Sequence, residues 1–401
     1  MDSFKKLNHA LENIKVVDLS KVLGGPYATQ ILADHGAEVI KIESHLGDET
    51  RGWGPPYQDE MASYFININR NKRAIAIDLS KDAGQDILLK LLKKADVLIE
   101  NFKPGTMKKW GLDYHNVLKK KFPKLIHCSI SGFGSEGPLG GAPGYDAIVQ
   151  AMTGMMSING TPESGNVRMG APFVDMGTGL YSVIAILMAL RERYYSNLGQ
   201  YIDMTLYDSS LALMHPHNAN YFLSGKSGKA TGNSHPNISP YDKFKTKTNE
   251  IFMGIGNNSG FKKLCKELNL DDLIDDPRFL NNGLRVKNRI HLNQYLEKAL
   301  SKVDGNEFSE KLLSAGVPAG PVRNMEEAIN HPQTKKRKMV IRKRFYTGIA
   351  SPIKFSRSKF VGIKNFPPKV GEHSKEILLE IGFNDDEIQD LMKKNIIFKN
   401  N

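Results

Sequence analysis

Residues 15–43 read KVVDLSKVLGGPYATQILADHGAEVIKIE, and this stretch decides the fold class. Lys15–Ser20 is an apolar run typical of a buried strand, and Glu38–Glu43 is a second one. Between them, a Gly24-Gly25-Pro26 turn precedes a helix-like stretch that runs from Tyr27 to His35. This order of strand, helix and strand predicts two parallel strands joined by a crossover helix.

The same alternation continues to about residue 200. Further apolar runs predict strands at Arg73–Leu79, Asp96–Phe102, Leu125–Ser131 and Tyr201–Leu206. Apolar residues at helical spacing predict helices over Asp82–Lys94 and Gly179–Tyr195. Strands that alternate with helices indicate an α/β domain with a mainly parallel sheet.

At Ser224–His235 the composition shifts to Gly, Ser, Lys and Asn, which marks a linker. A smaller unit is predicted after it, with a strand at Ile251–Gly256, helices near Phe261–Leu268, Arg285–Leu300 and Glu307–Ala315, and a turn-rich end at Gly316–Pro321. The tail has a strand-like run at Met339–Phe345 and two helices after Ser374, and we expect it to rejoin the first domain. The predicted domains are residues 1–223 (large domain, first part), 224–325 (linker and small domain) and 326–401 (return to the large domain).

The composition excludes several classes of protein. With 401 residues, of which 40% are hydrophobic and 24% charged, the chain is typical of a two-domain globular protein rather than a disordered or fibrous one. Its most apolar stretch, Tyr181–Leu190, is shorter than the ~20 residues of a transmembrane helix, and Met1–Asp18 lacks a secretory signal. Cys128 and Cys265 are too few for a disulfide framework or a four-cysteine zinc site. We therefore expect a cytoplasmic protein with reduced thiols and no membrane span.

The chain carries 55 Lys and Arg against 43 Asp and Glu, a formal net charge of +12. Such an excess suits a polyanionic partner, either a nucleic acid or a phosphorylated cofactor. The basic residues read as scattered along the chain, and the tightest run, Lys335–Lys338, is typical of a solvated surface. No basic–aromatic stretch or reading motif stands out, so a nucleic-acid partner is not expected.

In an open parallel sheet, ligands bind at the carboxyl ends of the strands. The first such loop, Lys21–Pro26, is not a G-x-G-x-x-G dinucleotide loop, although Gly24 and Gly25 allow close backbone approach by a ligand. Basic and amide side chains follow several strands and could either converge on phosphate groups or remain solvated. They are Arg51, Lys72, Arg73, Lys81, Asn101, Lys103 and Lys109.

Asp175 is the single acid in the apolar stretch Gly170–Gly177, just before the predicted helix. It can be the N-cap of that helix, or a carboxylate nucleophile that the helix dipole and free amides keep ionised. Gly144–Asp146 follows a Gly- and Pro-rich loop of the kind that often holds substrate. His215 and His217 have no nearby acidic or cysteine partner, so no metal site is expected.

A series of motifs, in order, resembles the class III (CaiB/BaiF-type) coenzyme A transferases. They are Leu11–Glu43, Thr50–Pro56, Asn69–Arg73, Asp96–Gly105, Gly144–Asp146, Pro172–Asp175 and Gly316–Pro321, so the likeness covers nearly the whole chain. Within that family, Gly52–Pro56, Asn69–Lys72, Tyr241–Thr246 and Gly256–Asn258 look most like the succinate–hydroxymethylglutarate CoA-transferase branch.

The resemblance implies an α/β fold with a Rossmann-like large domain, a smaller inserted α+β domain and an interlocked homodimer. It implies that Asp175 is catalytic and that Tyr145 and Asp146 line the acyl site. Coenzyme A would act as a substrate, in the form of acyl-CoA, with no permanently bound cofactor and no metal. The residues implied to bind it are Val22, Leu23, Gly24, Ile77, Asn101, Phe102, Thr106 and Lys109.

The implied activity moves coenzyme A from a donor such as succinyl-CoA to a free carboxylic acid, through mixed-anhydride and aspartyl-CoA thioester intermediates on Asp175. Leu23 and Ser44 stand where the formyl-CoA branch has Gln and Arg, which argues against oxalate and formate. An α-methylacyl-CoA racemase of the same fold is the alternative, but Tyr145 replaces the His that serves those enzymes as a base. The candidates for binding the distal carboxylate of a dicarboxylic acid are His215, Asn218 and Arg168.

Overall fold

The computed structural model of the chain describes residues 7–398. Its strands, in chain order, are β1 (Lys15–Asp18), β2 (Glu38–Glu43), β3 (Tyr57–Gln58), β4 (Met61–Ala62), β5 (Lys72–Ile77), β6 (Val97–Glu100), β7 (Ile126–Ser131), β8 (Gly160–Thr161), β9 (Gly165–Asn166), β10 (Tyr201–Thr205), β11 (Tyr241–Lys245), β12 (Glu250–Gly254), β13 (Ala319–Pro321), β14 (Val340–Lys343), β15 (Tyr346–Ile349) and β16 (Ile397–Phe398).

The α-helices, again in chain order, are α1 (Gly24–Asp34), α2 (Ser63–Ile66), α3 (Asp82–Leu92), α4 (Thr106–Lys109), α5 (Lys119–Lys121), α6 (Asp146–Met152), α7 (Phe173–Ser196), α8 (Leu206–Ala212), α9 (His217–Ser224), α10 (Asn258–Glu267), α11 (Asn282–Lys287), α12 (Arg289–Leu300), α13 (Gly305–Ser314), α14 (Met325–Asn330), α15 (Pro332–Lys336), α16 (Ser374–Glu380) and α17 (Asp385–Lys393).

The central sheet has the strand order β10-β7-β6-β1-β2-β5-β16. Its first six strands pair in parallel, whereas β16 runs antiparallel to β5. From β1 the chain builds the sheet outward through β2 and β5, and then returns to the other side of β1 with β6. Loops that follow β1 and β6 therefore diverge from a topological switch point, where open α/β sheets bind ligands. The predicted α/β class with a mainly parallel sheet is confirmed.

Helix α7 begins at Phe173, six residues before the predicted start at Gly179. Gly177 and Gly179 read as a helix boundary in the sequence because glycine is unfavourable inside helices. In the structure they lie in the first two turns, where α7 crosses α1 closely. A Cβ atom on Gly179 would lie 2.7 Å from the carbonyl oxygen of Gly24. Gly179 thus sets how near the two helix ends approach each other, whereas a Cβ atom on Gly177 would meet Leu213 instead.

Apolar side chains cover both faces of the central sheet. On one face, Leu32 of α1 and Ile186 of α7 are fully buried in one cluster. On the other, Leu88 of α3 and Ile377 of α16 are buried in a second cluster. Since burying such a side chain stabilises a fold by about 1.5–3 kcal/mol, these contacts fix the helices that carry the loops at the sheet edge.

Contacts divide the chain into two compact units. One contains residues up to 153, residues 169–214 and residues from 333 onward, and it holds the central sheet. The other contains Gly154–Arg168 and His215–Pro332, and its β11-β12-β13 sheet is antiparallel. A separate core lies in the second unit, with Ile251, Leu264 and Leu296 fully buried.

Helix α7 is also long and apolar enough to cross a membrane, with 24 residues and a mean hydropathy of 1.8 over its most apolar window. The sequence predicted this helix only over Gly179–Tyr195, with its most apolar stretch at Tyr181–Leu190, so a helix of 24 residues was not expected. About 44% of that window is buried inside the protein. The core helix of a globular domain meets the same length and composition test, so this is weak evidence for a membrane span.

Candidate active site

A cleft of about 1070 Å³, part of it open to solvent, lies at the carboxyl ends of the central strands. It is lined by loops that follow β1, β6 and β7 and by the first turns of α7 and α8. Seven of the residues implied by the sequence meet here: Val22, Leu23, Gly24, Asn101, Phe102, Tyr145 and Asp175. Residues separated by up to 153 positions in the chain thus line the same cleft. The spacing of the motifs in the sequence does not show that they meet.

A second cleft of about 630 Å³ shares Lys21 and Phe102 with the first. It is lined by Ile77, which was implied to bind coenzyme A, and by Lys41 and Asp48. Thr106 and Lys109, the other residues implied to bind coenzyme A, lie on α4, which directly follows the Phe102 loop. Neither lines these two clefts, and the side chain of Lys109 is exposed.

Asp175 lies in the first turn of α7 and faces the larger cleft. Burial, and then the negative charge of Asp146, raise its pKa to about 7. The N-terminus of α7 therefore does not keep Asp175 fully ionised at neutral pH, because burial and the charge of Asp146 oppose ionisation. Near neutral pH, the protonated and ionised forms of Asp175 are populated about equally.

Asp146 supplies the cap that was one of the two roles considered for Asp175 from the sequence. Its Oδ2 accepts hydrogen bonds from the backbone nitrogens of Val174, at 2.7 Å, and Asp175, at 3.0 Å. Its Oδ1 accepts a hydrogen bond of 2.6 Å from Gln150 Nε2. The N-cap position of α7 belongs to Pro172, so the N-cap reading of Asp175 is wrong. A carboxylate from another helix satisfies the amides and leaves the Asp175 side chain to the cleft.

The amides at the start of α7 are capped by Asp146, so backbone amides without a partner must be sought at the start of α1. Its N-cap, Leu23, has no side-chain hydrogen bond to the helix. The amides of Gly24 and Gly25 donate no hydrogen bond within the part of the chain that the structure describes. A Cβ atom on Gly24 would lie 3.9 Å from Asp175 Oδ1, so this helix end is next to the carboxylate. Such amides can stabilise negative charge on an oxygen beside Asp175.

A buried ion pair supports the loop that precedes α1. Lys41 Nζ lies 3.2 Å from Asp48 Oδ2, and both side chains have no exposed surface. Asp48 Oδ1 accepts a hydrogen bond from the backbone nitrogen of Val22, whose φ is +69°. Lys41 also donates to the carbonyl oxygen of Ser20. Burial acts against the charge of Lys41, but the nearby carboxylates, above all that of Asp48, raise its pKa.

This pair was not predicted from the sequence, although one signal was present: Lys41 interrupts the apolar strand EVIKIE at a position that is buried in the structure. Buried charges require partners, so such a lysine predicts an acid nearby.

Asn101 joins the two loops at the switch point. Its side chain accepts a hydrogen bond from the backbone nitrogen of Lys21 and donates one to the carbonyl oxygen of the same residue. Glu100 accepts a hydrogen bond from the backbone nitrogen of Phe102. The polar atoms of the Asn101 side chain are thus engaged with the protein backbone.

Most of the cations that follow the strands pair with acids of the protein. Arg51 pairs with Glu43, and Lys72, which is fully buried, pairs with Asp18. Arg73 binds Glu38, Glu376 and Glu380, and Lys81 lies near Asp78. Of the predicted cations, only Lys103 lines the larger cleft, where Lys21 accompanies it.

Tyr64 lies near the site, although it was not predicted from the sequence. Burial and then the charges of Asp175, Asp146 and Asp48 raise its pKa to about 12, so it keeps its hydroxyl proton at neutral pH. Its ring packs edge-on against Trp53, with ring centroids 5.3 Å apart. His215, Asn218 and Arg168 belong to the second compact unit. Among residues 7–398, no group of three or more His, Cys, Asp or Glu is placed to hold a metal ion.

Known proteins resemble the chain over nearly its full length. A family model described as CoA-transferase family III matches residues 11–374. A succinyl-CoA:glutarate CoA-transferase of Mus musculus is 37% identical over 96% of this chain and 90% of its own length. An acetyl-CoA:oxalate CoA-transferase of Acetobacter aceti is 38% identical over 86% of this chain and 89% of its own length.

A solved structure of a CaiB/BaiF family protein from Brucella suis superposes with a TM-score of 0.83. It is 40% identical to this chain and covers 94% of it, and this chain covers all of the solved one. Fold, site and sequence therefore agree: the chain belongs to CoA-transferase family III and is an enzyme that transfers coenzyme A.

Proposed function

We propose that the enzyme moves coenzyme A from a dicarboxylyl-CoA, with succinyl-CoA as the first candidate, to a free carboxylic acid, and that Asp175 is the nucleophile. The observation that carries this proposal is the position of Asp175: a half-buried carboxylate that faces the cleft with its backbone amide already capped by Asp146. A carboxylate placed in this way can be acylated without losing a structural role.

In the first half of the reaction, an Asp175 oxygen attacks the carbonyl carbon of the donor thioester. The C–S bond breaks, and coenzyme A leaves as a thiolate while a mixed anhydride forms on Asp175. The thiolate then attacks Cγ of Asp175, and the donor acid leaves as a carboxylate. The product of this half is an aspartyl-CoA thioester on the protein.

In the second half, the acceptor carboxylate attacks Cγ of Asp175 and expels the thiolate, which forms a second anhydride. The thiolate attacks the acceptor's acyl carbon, so the new acyl-CoA leaves and Asp175 is free again. One thioester replaces another, and no proton, water or ATP is consumed. Each tetrahedral intermediate carries an oxyanion, for which we propose the amides of Gly24 and Gly25, beside Asp175, as donors.

The acyl-CoA needs an anchor while the thiolate is free between steps. We place its nucleotide end toward the second cleft, where Ile77 lies, and its acyl end beside Tyr145. Lys21 and Lys103 at the junction suit the phosphate groups, and Thr106 and Lys109 follow on α4. Binding energy from that remote end can hold the sulfur near Asp175.

We propose dicarboxylic acids as the acceptors. Their distal carboxylate requires a cation or an amide in the site. Arg168, His215 and Asn218 remain our candidates from the sequence. Arg168→Gln should then raise KM for succinate and glutarate more than KM for acetate. An equal change for all three acids would remove Arg168 from this role.

Oxygen-18 tests the mechanism directly. When the acceptor acid carries ¹⁸O in both carboxylate oxygens, the final step leaves one labelled oxygen on Asp175 and one in the new acyl-CoA. Mass spectrometry of the peptide that contains Asp175 should show the label after turnover in ordinary water. Asp175→Asn should lose CoA exchange and the label together. Exchange that persists in Asp175→Asn, or turnover without label, would contradict the nucleophile.

The racemase alternative has a separate signature. A base that removes the α-proton of an acyl-CoA would introduce deuterium from D₂O without any acceptor acid. Wash-in of this kind, with no CoA exchange, would favour the alternative.

We also propose the interlocked homodimer that the family resemblance implies. Helix α7 exposes Leu180, Ile184, Leu187 and Met188, between 41% and 66% each, and their spacing puts them on one face. A second copy of this chain is the proposed occupant of that face. Light scattering should show a dimer, and Ile184→Glu with Met188→Glu should abolish it. A wild-type monomer would contradict the proposal.

A cytoplasmic location is likewise proposed. Cys128 and Cys265 are both free and buried, and burial raises the pKa of each thiol to about 12. Thiols of this kind are typical of reduced compartments. Fractionation of the native cell, with the protein recovered among the cytoplasmic enzymes, would support the location.

A further inference from the structure

The net charge of the chain comes from one segment. Residues 333–371, which we name the basic segment, contain 12 Lys and Arg and no Asp or Glu. Since the whole chain has 55 basic and 43 acidic side chains, the rest of it carries 43 of each. The excess of positive charge therefore lies in the basic segment, although basic residues occur throughout the chain. Outside this segment the formal net charge is zero.

All twelve cations of the basic segment are exposed. They are Lys335, Lys336, Arg337, Lys338, Arg342, Lys343, Arg344, Lys354, Arg357, Lys359, Lys364 and Lys369. Gathering like charges in one exposed segment raises its free energy through mutual repulsion, and a bound polyanion relieves that repulsion.

The middle of the basic segment lies away from the cleft that holds Asp175. The backbone nitrogen of Val361 donates a hydrogen bond to the carbonyl oxygen of Asp34. The side-chain Nδ2 of Asn71 donates one of 2.8 Å to the carbonyl oxygen of Gly362. Asp34 ends α1 shortly before β2, and Asn71 directly precedes β5, so both mark the amino ends of the strands. None of the segment's cations lines either cleft at the carboxyl ends, within the described residues. Binding of acyl-CoA does not account for this charge.

Aromatic rings interleave with the cations. The hairpin of β14 and β15 carries Phe345 at its tip, 52% exposed, stacked on Phe366 at 4.5 Å between ring centroids. Phe355, 53% exposed, lies between Lys354 and Arg357 in the sequence. The expectation of no nucleic-acid partner rested on the lack of such a stretch, and residues 342–366 supply one.

We propose that the basic segment binds single-stranded nucleic acid, with phosphates on the exposed cations and bases stacked on Phe345 and Phe355. Single-strand binders combine a basic track with aromatic platforms, and this pairing tolerates many sequences. An anionic membrane is the other polyanion that clustered Lys and Arg attract. An amphipathic helix would strengthen binding to a membrane surface, but the only helix within the segment is the end of α15, which has five residues. The proposal goes beyond the CoA-transferase activity and does not depend on it.

Fluorescence anisotropy of a labelled 20-nucleotide oligouridylate with the full chain tests the proposal. We expect saturable binding that weakens steeply between 50 and 200 mM salt, with a slope of about 0.7 per phosphate contact. Lys335→Gln/Lys336→Gln/Arg337→Gln should weaken binding at least tenfold and lower the slope by about 2. The matched control is Lys119→Gln/Lys120→Gln/Lys121→Gln, three consecutive exposed lysines on α5, which should bind as wild type does.

Phe345→Ala should weaken binding several-fold with the salt slope unchanged, because stacking releases no counterions. Equal losses in both triple variants would mean that bulk charge alone is measured, and would overturn the proposal. So would competition by coenzyme A, which would put the oligonucleotide in the cleft. Vesicles with phosphatidylserine form the last arm: binding to vesicles without binding to the oligonucleotide would assign the segment to membranes instead. CoA exchange should remain normal in all these variants.

Discussion

Asp146 Oδ2 lies 3.0 Å from the backbone nitrogen of Asp175, so the acid that caps α7 is also the charge nearest to the proposed nucleophile. One contact has two opposite effects. Capping stabilises the helix start and fixes the position of Asp175, whereas the negative charge raises the pKa of Asp175. The reactivity of Asp175 therefore depends on a neighbour that need not touch the substrate.

The pH dependence of turnover should show this coupling. Because the nucleophile is the ionised form, kcat/KM for succinyl-CoA should rise with pH to a plateau, with a midpoint near 7. Asp146→Asn removes the charge while its side-chain oxygen can still accept from the backbone, so the midpoint should move to lower pH. Glu49→Gln is the control, since Glu49 is an exposed acid that lines the same cleft. Identical midpoints in wild type and Asp146→Asn would contradict the coupling.

Asp175 should also lower the free energy of unfolding at neutral and alkaline pH. Its pKa is about 7 in the native state against 3.8 normally, so the native state holds the proton that the unfolded chain releases between pH 4 and 7. The free energy of unfolding contributed by this group therefore falls as pH rises through that window. Asp175→Asn should be more stable than wild type by about 2 kcal/mol at pH 8, and by little at pH 4.

Urea unfolding at the two pH values measures this difference. Asp86→Asn, a change of an exposed acid on α3, should show no such dependence on pH. Equal stability of Asp175→Asn and wild type at pH 8 would mean that the carboxylate is solvated in the native state.

The buried pair of Lys41 and Asp48 should support both stability and substrate binding. Lys41→Met leaves Asp48 buried without its cation, which should lower the free energy of unfolding by about 3 kcal/mol. KM for the acyl-CoA should rise as well, because Asp48 holds the backbone of Val22 at the cleft. Adding Asp48→Asn should restore part of the loss in a double-mutant cycle. Additive losses would show that the two residues act independently.

A side chain at Gly24 should disturb the crossing of α1 and α7. A Cβ atom there would lie 3.3 Å from the carbonyl oxygen of Asp175, tighter than ordinary packing. Gly24→Ala should therefore push α1 from α7 and reduce kcat at least tenfold, with a smaller effect on KM. Gly320→Ala is the matched control, because no atom lies within 4 Å of its added Cβ. Normal kcat in Gly24→Ala would separate the glycine from catalysis.

Much of the fold could be predicted because its signals are local. Strand Glu38–Glu43 has the predicted bounds, and the other predicted strands of the central sheet begin and end within two residues of the predicted positions. The start of α7 was wrong because its cap comes from Asp146, 27 residues before Phe173, and no local pattern shows such a cap. The antiparallel β16 was also missed, since two residues carry no recognisable periodicity.

The site followed the same rule. Parallel strands put their carboxyl ends at one edge, so loops after β1 and β6 could be expected to meet. The ion-pair partner of each cation could not be predicted from the sequence. Arg51, Lys72 and Arg73 pair with carboxylates of other elements, and only the structure shows which cations are left to bind a ligand. Residue type alone predicts a cation, whereas its neighbours decide what it binds.

The close crossing of the helices at Gly24 and Gly179 limits which substitutions the enzyme can accept during evolution. Two positions without functional groups determine how far the attacking oxygen lies from the amides that would receive its charge. Substitutions that change substrate preference can therefore alter the residues that line the cleft. The distance between the Asp175 carboxylate and the amides of α1 still depends on the absence of side chains at Gly24 and Gly179. A comparison restricted to polar side chains would overlook the constraint altogether.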